Sequence, residues 1–238
     1  MEYFETLGSG IRIRHPDGCF RMSTDSMLAA DFLPLGPRDR VADLGCGSGN
    51  LAFLLAGREP EVRITGFELQ TAAVQAAQSN VTENGLADRI TIVQADLRRI
   101  REITPPGRFD AAVSNPPYFP VGSGRAAASE AMHLARSEKV CSLRELCQAA
   151  AWLVRTGGSF TLVHKPERLC DLVWELRQAG LEPKRLRLVR HHAEAAVSLA
   201  LLDSRRGGRP GLHIDPDFIL FDAAGQPTAD YRRAYHMA

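Results

Sequence analysis

The chain has 238 residues, 45% of them hydrophobic and 24% charged, with a formal net charge of +1. That composition describes an ordinary globular protein with enough length for a large core, and it excludes a polycation. No apolar run approaches the ~18 residues a membrane span needs, and the opening MEYFETLGSG lacks the basic and apolar regions of a signal peptide.

Five cysteines, Cys19, Cys46, Cys141, Cys147 and Cys170, are scattered and form no CxxC pair. An odd, dispersed set predicts reduced thiols in the cytoplasm and neither a disulfide framework nor a metal site. With so little net charge, binding to nucleic acid would fall to a local patch. One α/β domain with small decorations is the expected organisation.

Ile11 to Arg14 alternates apolar and charged residues, the pattern of a half-exposed strand. His15-Pro16-Asp17-Gly18 reads as a turn, and Cys19 to Met22 as the returning strand of a hairpin. Ser23-Thr24-Asp25-Ser26 then caps a helix predicted from Asp25 to Phe32. Capping alone accounts for those hydroxyls.

Val41 to Leu44 is predicted as a strand. It runs into Gly45-Cys46-Gly47-Ser48-Gly49 and then into an apolar helix from Asn50 to Gly57. A strand, a glycine-rich turn and a helix make a nucleotide-binding unit, because backbone can approach a ligand and the helix start offers unpaired N–H groups. The spacing is GxGxG. It is neither the dinucleotide fingerprint nor a P-loop.

The next strand, Val62 to Phe67, ends in Glu68, about twenty residues past the turn, where such folds place a carboxylate on ribose hydroxyls. A helix over Thr71 to Asn84 follows, with Gly85 as its stop. A third strand, Ile90 to Ala95, ends in Asp96. Open parallel sheets bind ligands at strand carboxyl ends, so Asp43, Glu68 and Asp96 form one candidate site. Singly, each acid is as well explained as a turn or cap residue.

Phe109 to Ser114 is a fourth strand, and it stops at Asn115-Pro116-Pro117-Tyr118. Each proline holds the residue before it in extended geometry and removes a donor. What remains is a stiff loop with one amide side chain, the Pro116 carbonyl and an aromatic ring. A flat heteroaromatic amine stacked on Tyr118 would find two acceptors, Asn115 and Pro116, for its two protons. Those acceptors favour the charge that grows on nitrogen as it attacks an electrophile. Alone, the tetrad is equally a proline-stiffened loop.

Phe119 to Arg136 shows no periodicity and reads as a long loop beside the site, of the kind that serves as a lid. Ser142-Leu143-Arg144-Glu145 is a capping box that opens a helix stopped by Gly157-Gly158. Ser159 to Val163 is the fifth strand. Pro166 starts a helix striped by Leu169, Leu172, Val173 and Leu176, with Trp174 expected at the core edge. Leu181 to Arg190 and Val197 to Leu202 are the last large strands. Lys184, Arg185, Arg187, Arg190, Arg205, Arg206 and Arg209 gather there, a set suited to a phosphate backbone or to a solvated strand face. His191 and His192 read as loop residues without metal-ligand spacing. Phe218 to Phe221 suits a short strand, and Thr228 to Tyr235 a terminal helix.

These motifs together resemble a known family. Asp43 to Gly49, Glu68, Asp96 and Asn115 to Tyr118 stand in the order found in S-adenosylmethionine-dependent methyltransferases that act on amines. More narrowly, the chain resembles the bacterial tRNA(Val) adenine-N6 methyltransferase family. The carriers are Phe20-Arg21 with Thr24-Asp25-Ser26, Ser114 to Phe119, His164 to Leu169, Glu182 to Arg185 and Gly207 to Leu212. The resemblance implies a Rossmann-like sheet of seven strands, mostly parallel with the last antiparallel. It divides the chain into an N-terminal hairpin and helix (1–38), a catalytic core (39–205) and a C-terminal extension (206–238).

It also implies roles. Asp43, Gly45, Cys46, Gly47 and Gly49 would hold the methionine part of S-adenosylmethionine, Glu68 with Leu69 the ribose, and Asp96 with Leu97 the adenine. Thr24 and Asp25 would close the cofactor site. Asn115, Pro116, Pro117 and Tyr118 would hold the target adenine of a tRNA, position 37 of the anticodon loop, and Asn115 would also border the cofactor. Beside such a base site, the clustered Lys184, Arg185, Arg187, Arg190, Arg205 and Arg206 are expected to meet the RNA. No metal or membrane is implied, and the expected state is a monomer, with a dimer left open. Ala135-Arg136-Ser137-Glu138 departs from the family's Ala-Arg-His-Glu. NPPY equally suits a glutamine side-chain amide in a release factor, and a ribosomal guanine amine is a further substrate class. A catalytically idle module that binds cofactor or RNA is the reading from another class.

Overall fold

The computed structural model describes residues 3–15, 22–117 and 141–235. Tyr118 and the 119–136 loop, with Ser137 and Glu138, lie outside the described residues.

The N-terminal hairpin exists, with a different partner from the expected one. Strand β1 (Tyr3–Thr6) pairs antiparallel with β2 (Arg12–His15). Leu7 N–H donates to the Ile11 carbonyl at 2.9 Å, closing a turn through Gly8-Ser9-Gly10. The turn signal in Gly8-Ser9-Gly10 and the strand-forming Tyr3 and Phe4 account for this pairing. Residues 16–21, where the returning strand was expected, lie outside the described residues.

The other edge of β2 meets a helix. Asn80 and Asn84 are one helical turn apart on α3 (Thr71–Glu83) and its cap, so they face the same way. Asn80 accepts from Arg14 N–H at 2.9 Å and donates to its carbonyl at 3.0 Å; Asn84 does the same for Arg12 at 2.9 and 2.7 Å. Two amide side chains thus stand in for a neighbouring strand and satisfy an edge.

The main sheet is ordered β10-β8-β9-β7-β6-β3-β4-β5, with β11 also beside β8. Its strands are β3 (Arg40–Leu44), β4 (Arg63–Glu68), β5 (Ile90–Gln94), β6 (Phe109–Ser114), β7 (Val154–His164), β8 (Leu181–Arg190), β9 (Val197–Arg206), β10 (His213–Ile214) and β11 (Phe218–Ile219). β9 is antiparallel to both neighbours, while β3 to β7 run parallel. β8 therefore points the same way as β6. The order reverses between β3 and β6, so ligands belong above the carboxyl ends of those two strands.

Helices cover both faces, which is why the inner strands read as apolar runs. On one face α1 (Thr24–Phe32), α2 (Asn50–Arg58) and α3 bury Leu28, Phe53, Leu55 and Val74 against Val41, Val113 and Val163. On the other, α5 (Leu143–Leu153) and α6 (Leu169–Gln178) bury Leu146, Leu153, Leu172 and Leu176 against Ala42, Ala112 and Leu162; the short α4 (Ile100–Ile103) adds Ile100 there. The alternation along β3 sends Asp43 to the α1–α2 face with Val41. The terminal helix α7 (Ala229–Ala234) seats Ala234 in the first of these clusters.

Two further expectations are corrected. α5 ends at Leu153, and β7 begins at Val154, before Gly157-Gly158. The pairing with β6 jumps from Phe109↔Val154 to Ala111↔Ser159, so the glycines lie in a bulge within the strand. Trp174 is 60% exposed. It stands two residues from both Leu172 and Leu176, which places it on the opposite side of α6 from the buried stripe.

Candidate active site

β3 ends at Leu44, and the next five residues fold into a tight turn. Gly45 and Cys46 N–H groups both donate to the Phe67 carbonyl, at 2.9 and 3.1 Å, and Gly49 N–H donates to the Cys46 carbonyl at 2.8 Å. Gly49 caps α2 with φ +93°, and a Cβ there would stand 2.7 Å from the Phe53 ring. Both constraints demand glycine.

Glu68 ends β4 and locks this turn from the next strand. Its Oε2 accepts from Gly47 N–H at 2.9 Å and its Oε1 from Gln70 N–H at 2.8 Å. Each carboxylate oxygen retains a second lone pair for a ligand hydroxyl. Leu69 follows at half-buried depth, its carbonyl accepting from Gln94 at 3.2 Å.

Asp43 lies beneath the turn with 0% exposure. Neither carboxylate oxygen has a hydrogen bond among the described residues. Burial pushes its carboxyl up to about 8; the nearby Ala52 backbone N–H opposes the shift and the Glu68 charge adds to it. Burial, with the Asp43 and Glu68 charges, also raises the Cys46 thiol, which makes it a poor nucleophile. No Lys, Arg or His among the described residues forms an ion pair with Asp43 or Glu68. A buried carboxyl without a partner, next to a turn of open backbone, is chemistry awaiting a polar or cationic ligand.

The third acid behaves differently. Asp96 accepts from Arg98 Nη2 at 2.6 Å and from Arg98 N–H at 2.9 Å. Those contacts hold its carboxyl below the usual range and cap the short turn at Leu97.

Asn115 follows β6 directly beside the glycine turn. Ser114 donates its hydroxyl to the Leu44 carbonyl at 2.8 Å, so the residues preceding Asn115 and Gly45 are laterally bonded. Asn115 Nδ2 donates to Ser26 Oγ at 2.9 Å. Ser26 is buried in the first turn of α1, whose Ser23 cap accepts from Ser26 N–H. The bond sets the nitrogen end of the amide toward α1. Thr24 and Asp25 share that helical turn, and Pro116 and Pro117 are half-buried beyond it.

The structure therefore gathers Thr24, Asp25, Asp43, Gly45, Cys46, Gly47, Gly49, Glu68 and Asn115 around one end of β3 and β6. Sequence reading missed Ser26 as a side-chain partner because its capping position explained it. It also missed Ser48, whose hydroxyl lies 3.3 Å from His15 Nδ1 and whose carbonyl accepts from Asn80. Only tertiary contact reveals that the hairpin braces the glycine turn.

The six cations are arranged otherwise. Lys184, Arg205 and Arg206 lie toward the end of the sheet opposite Asn115, since β8 pairs Leu181 with Arg206 and Arg190 with Val197. Arg185 pairs with Asp215 at 2.6 Å, Arg187 with Asp230, and Arg190 with Asp217 at 2.6 Å. Arg205 and Arg206 donate to the Gly157 and Val154 carbonyls, and Lys184 to that of Arg209. Only Arg190 of the six stands at the carboxyl end of β8.

A family model described as Methyltransferase small domain matches residues 21–175, which include the glycine turn and Asn115. The chain belongs to this methyltransferase family. It is 37% identical over 152 residues to a tRNA1(Val) (adenine(37)-N6)-methyltransferase of Yersinia pestis (strain Pestoides F), a match covering 63% of this chain and 60% of the relative. The relative of that name in Yersinia pseudotuberculosis serotype O:1b gives the same values. The matched stretch thus spans about 60% of the curated relatives' length.

Among solved structures, Atu636 of Agrobacterium tumefaciens, described as a predicted O-methyltransferase, superposes with TM-score 0.73 at 19% identity, covering 90% of this chain and 96% of that one. The Thermus thermophilus 16S rRNA N2 G1207 methyltransferase superposes with TM-score 0.59 at 23% identity, covering 87% of this chain and 50% of that one. Both show the shared sheet architecture of this methyltransferase family member.

Proposed function

We propose that the chain transfers a methyl group from S-adenosylmethionine to the exocyclic N6 amine of an adenine in tRNA, position 37 of the anticodon loop of tRNA(Val). The observation that carries the reading is the Ser114–Leu44 bond, which sets the Asn115-Pro116 acceptors beside the glycine turn. The curated relatives that bear this name support the substrate.

The residues fit the cofactor. Asp43 offers an orphaned carboxyl to its methionine end, and Glu68 keeps lone pairs for ribose hydroxyls while bracing the turn. Asp96 and Leu97 bound the side where its adenine would lie. Bound there, S-adenosylmethionine supplies an electrophilic methyl on a sulfonium. The Asn115 oxygen and Pro116 carbonyl accept the amine's two protons and orient its nitrogen. As the N–C bond formed and the S–C bond broke to leave a neutral thioether, the nitrogen would become tetrahedral and cationic, and these acceptors would stabilise it before one proton left to solvent. Thr24 and Asp25 narrow the site from the α1 side. A loop base is cheap to unstack, which suits an anticodon loop.

The test incubates the protein with labelled cofactor and unmodified total tRNA, then digests the RNA. Label in N6-methyladenosine supports the reading. Label only in a release factor offered in parallel, or in no RNA nucleoside, overturns it.

A further inference from the structure

Five aromatic rings form a row across one side of the carboxyl end of the sheet. His191 and His192 follow Arg190 directly, their centroids 4.5 Å apart. His191 lies 4.8 Å from Phe221, Phe221 lies 5.2 Å from Tyr231, and Tyr231 stacks on Tyr235 at 4.1 Å with planes 7° apart. The row ends at α1: Tyr235 is half-buried, with its hydroxyl out of solvent beside the Thr24 side chain. Arg233 joins α7 to α1 through Asp31 at 3.4 Å. Ser26, the partner of Asn115, is in the same helical turn as Thr24.

Packing explains the inner part of this row, since Phe221, Tyr231 and Tyr235 lie against the core. It does not explain the outer part. His191 and His192 are exposed, and the turn that presents them is closed by an Ala195 N–H to His192 carbonyl bond at 2.9 Å and tied back by Arg190 to the Ala195 carbonyl. Arg232 is exposed on α7, next to Tyr231; it donates to the Pro227 carbonyl at 2.8 Å and forms no ion pair among the described residues.

We infer that the exposed end of this row, His191 and His192, is a stacking platform for unpaired bases of the RNA, flanking the adenine held at Asn115. The inference rests on the RNA reading above and extends it to a surface outside the cofactor site. An exposed ring accepts any base face, and exposed rings beside a surface arginine are part of the composition of single-strand nucleic-acid grooves. Neutralisation of Arg187 and Arg190 by Asp230 and Asp217 leaves ring contact, rather than charge, as the main attraction there.

The experiment measures methylation of an unmodified anticodon stem-loop RNA by wild type, H191A/H192A and H191F/H192F. The alanine pair should raise the KM for RNA about ten-fold or more, with cofactor affinity unchanged, and the phenylalanine pair should restore it. An alanine pair with wild-type KM overturns the platform, as does a phenylalanine pair that behaves like alanine. If the change in KM accompanies a dimer-to-monomer shift in sedimentation, the row is covered by a second copy and the inference falls. Wild type that methylates no RNA overturns both readings; an active wild type with an indifferent alanine pair overturns this one alone.

Discussion

The rim above β3 and β4 and the strand β8 both collect charge, and they dispose of it in opposite ways. Asp43 and Glu68 are 0% and 8% exposed and meet no cation among the described residues. On β8, Arg185, Arg187 and Arg190 each meet an aspartate supplied by the chain after residue 206. A buried acid without a cation costs stability, Asp43 by holding its proton up to about pH 8, and persists where a ligand completes it; a paired charge is scaffold. Asp96 sharpens the contrast, for it sits at the ligand end and is already taken by Arg98.

The largest effect that tests this contrast is at the acceptor. Asn115→Ala should cut turnover by about 10²–10³ while cofactor affinity, read by calorimetry, stays at the wild-type value. Retained turnover would remove Asn115 from the amine site. Next comes Glu68→Gln, which loses the acceptor proposed for ribose and weakens the hold on Gly47. It should cost about 1.5–3 kcal/mol of cofactor affinity, and an unchanged affinity would make Glu68 a turn residue only.

Asp43 gives a pH test with a definite sign. Its folded-state pKa of about 8 lies far above the ~3.9 of an unfolded aspartate. The folded state therefore holds a proton that the unfolded state has lost. This contribution to stability is complete below about pH 4 and disappears as pH rises through about 8. Ligand-free wild type should lose thermal stability from pH 5 to pH 9 more steeply than Asp43→Asn. Parallel melting curves would show that Asp43 is compensated after all.

The smallest effect belongs to the scaffold side. Arg206→Gln, at the far end of the sheet, should leave the KM for tRNA within about two-fold, since surface substitutions away from a site are nearly neutral. A large rise would return the far-end cations to the RNA and erase the difference between the two regions.

Much of the ligand end was legible because its signals are local. Gly45, Gly47 and Gly49 announce a turn that only small residues allow, Pro116 and Pro117 announce a stiff loop, and an acid after an apolar run marks a strand end. The hairpin was half legible: Arg12–His15 is a strand, but its pairing with Tyr3–Thr6 was not foreseen, because alternation does not name a partner. Trp174 was placed at the core edge from a stripe that its two-residue offset already opposed.

The residue order by itself determined where strands stop, where the backbone turns and which side chains stand at the turns, because those outcomes depend on neighbours within a few positions. Only the tertiary structure decided which charges have partners. Arg187 meets Asp230, 43 positions away, and Asn115 meets Ser26, 89 positions away. Such pairs arise from how helices seat on the sheet, which no local pattern encodes.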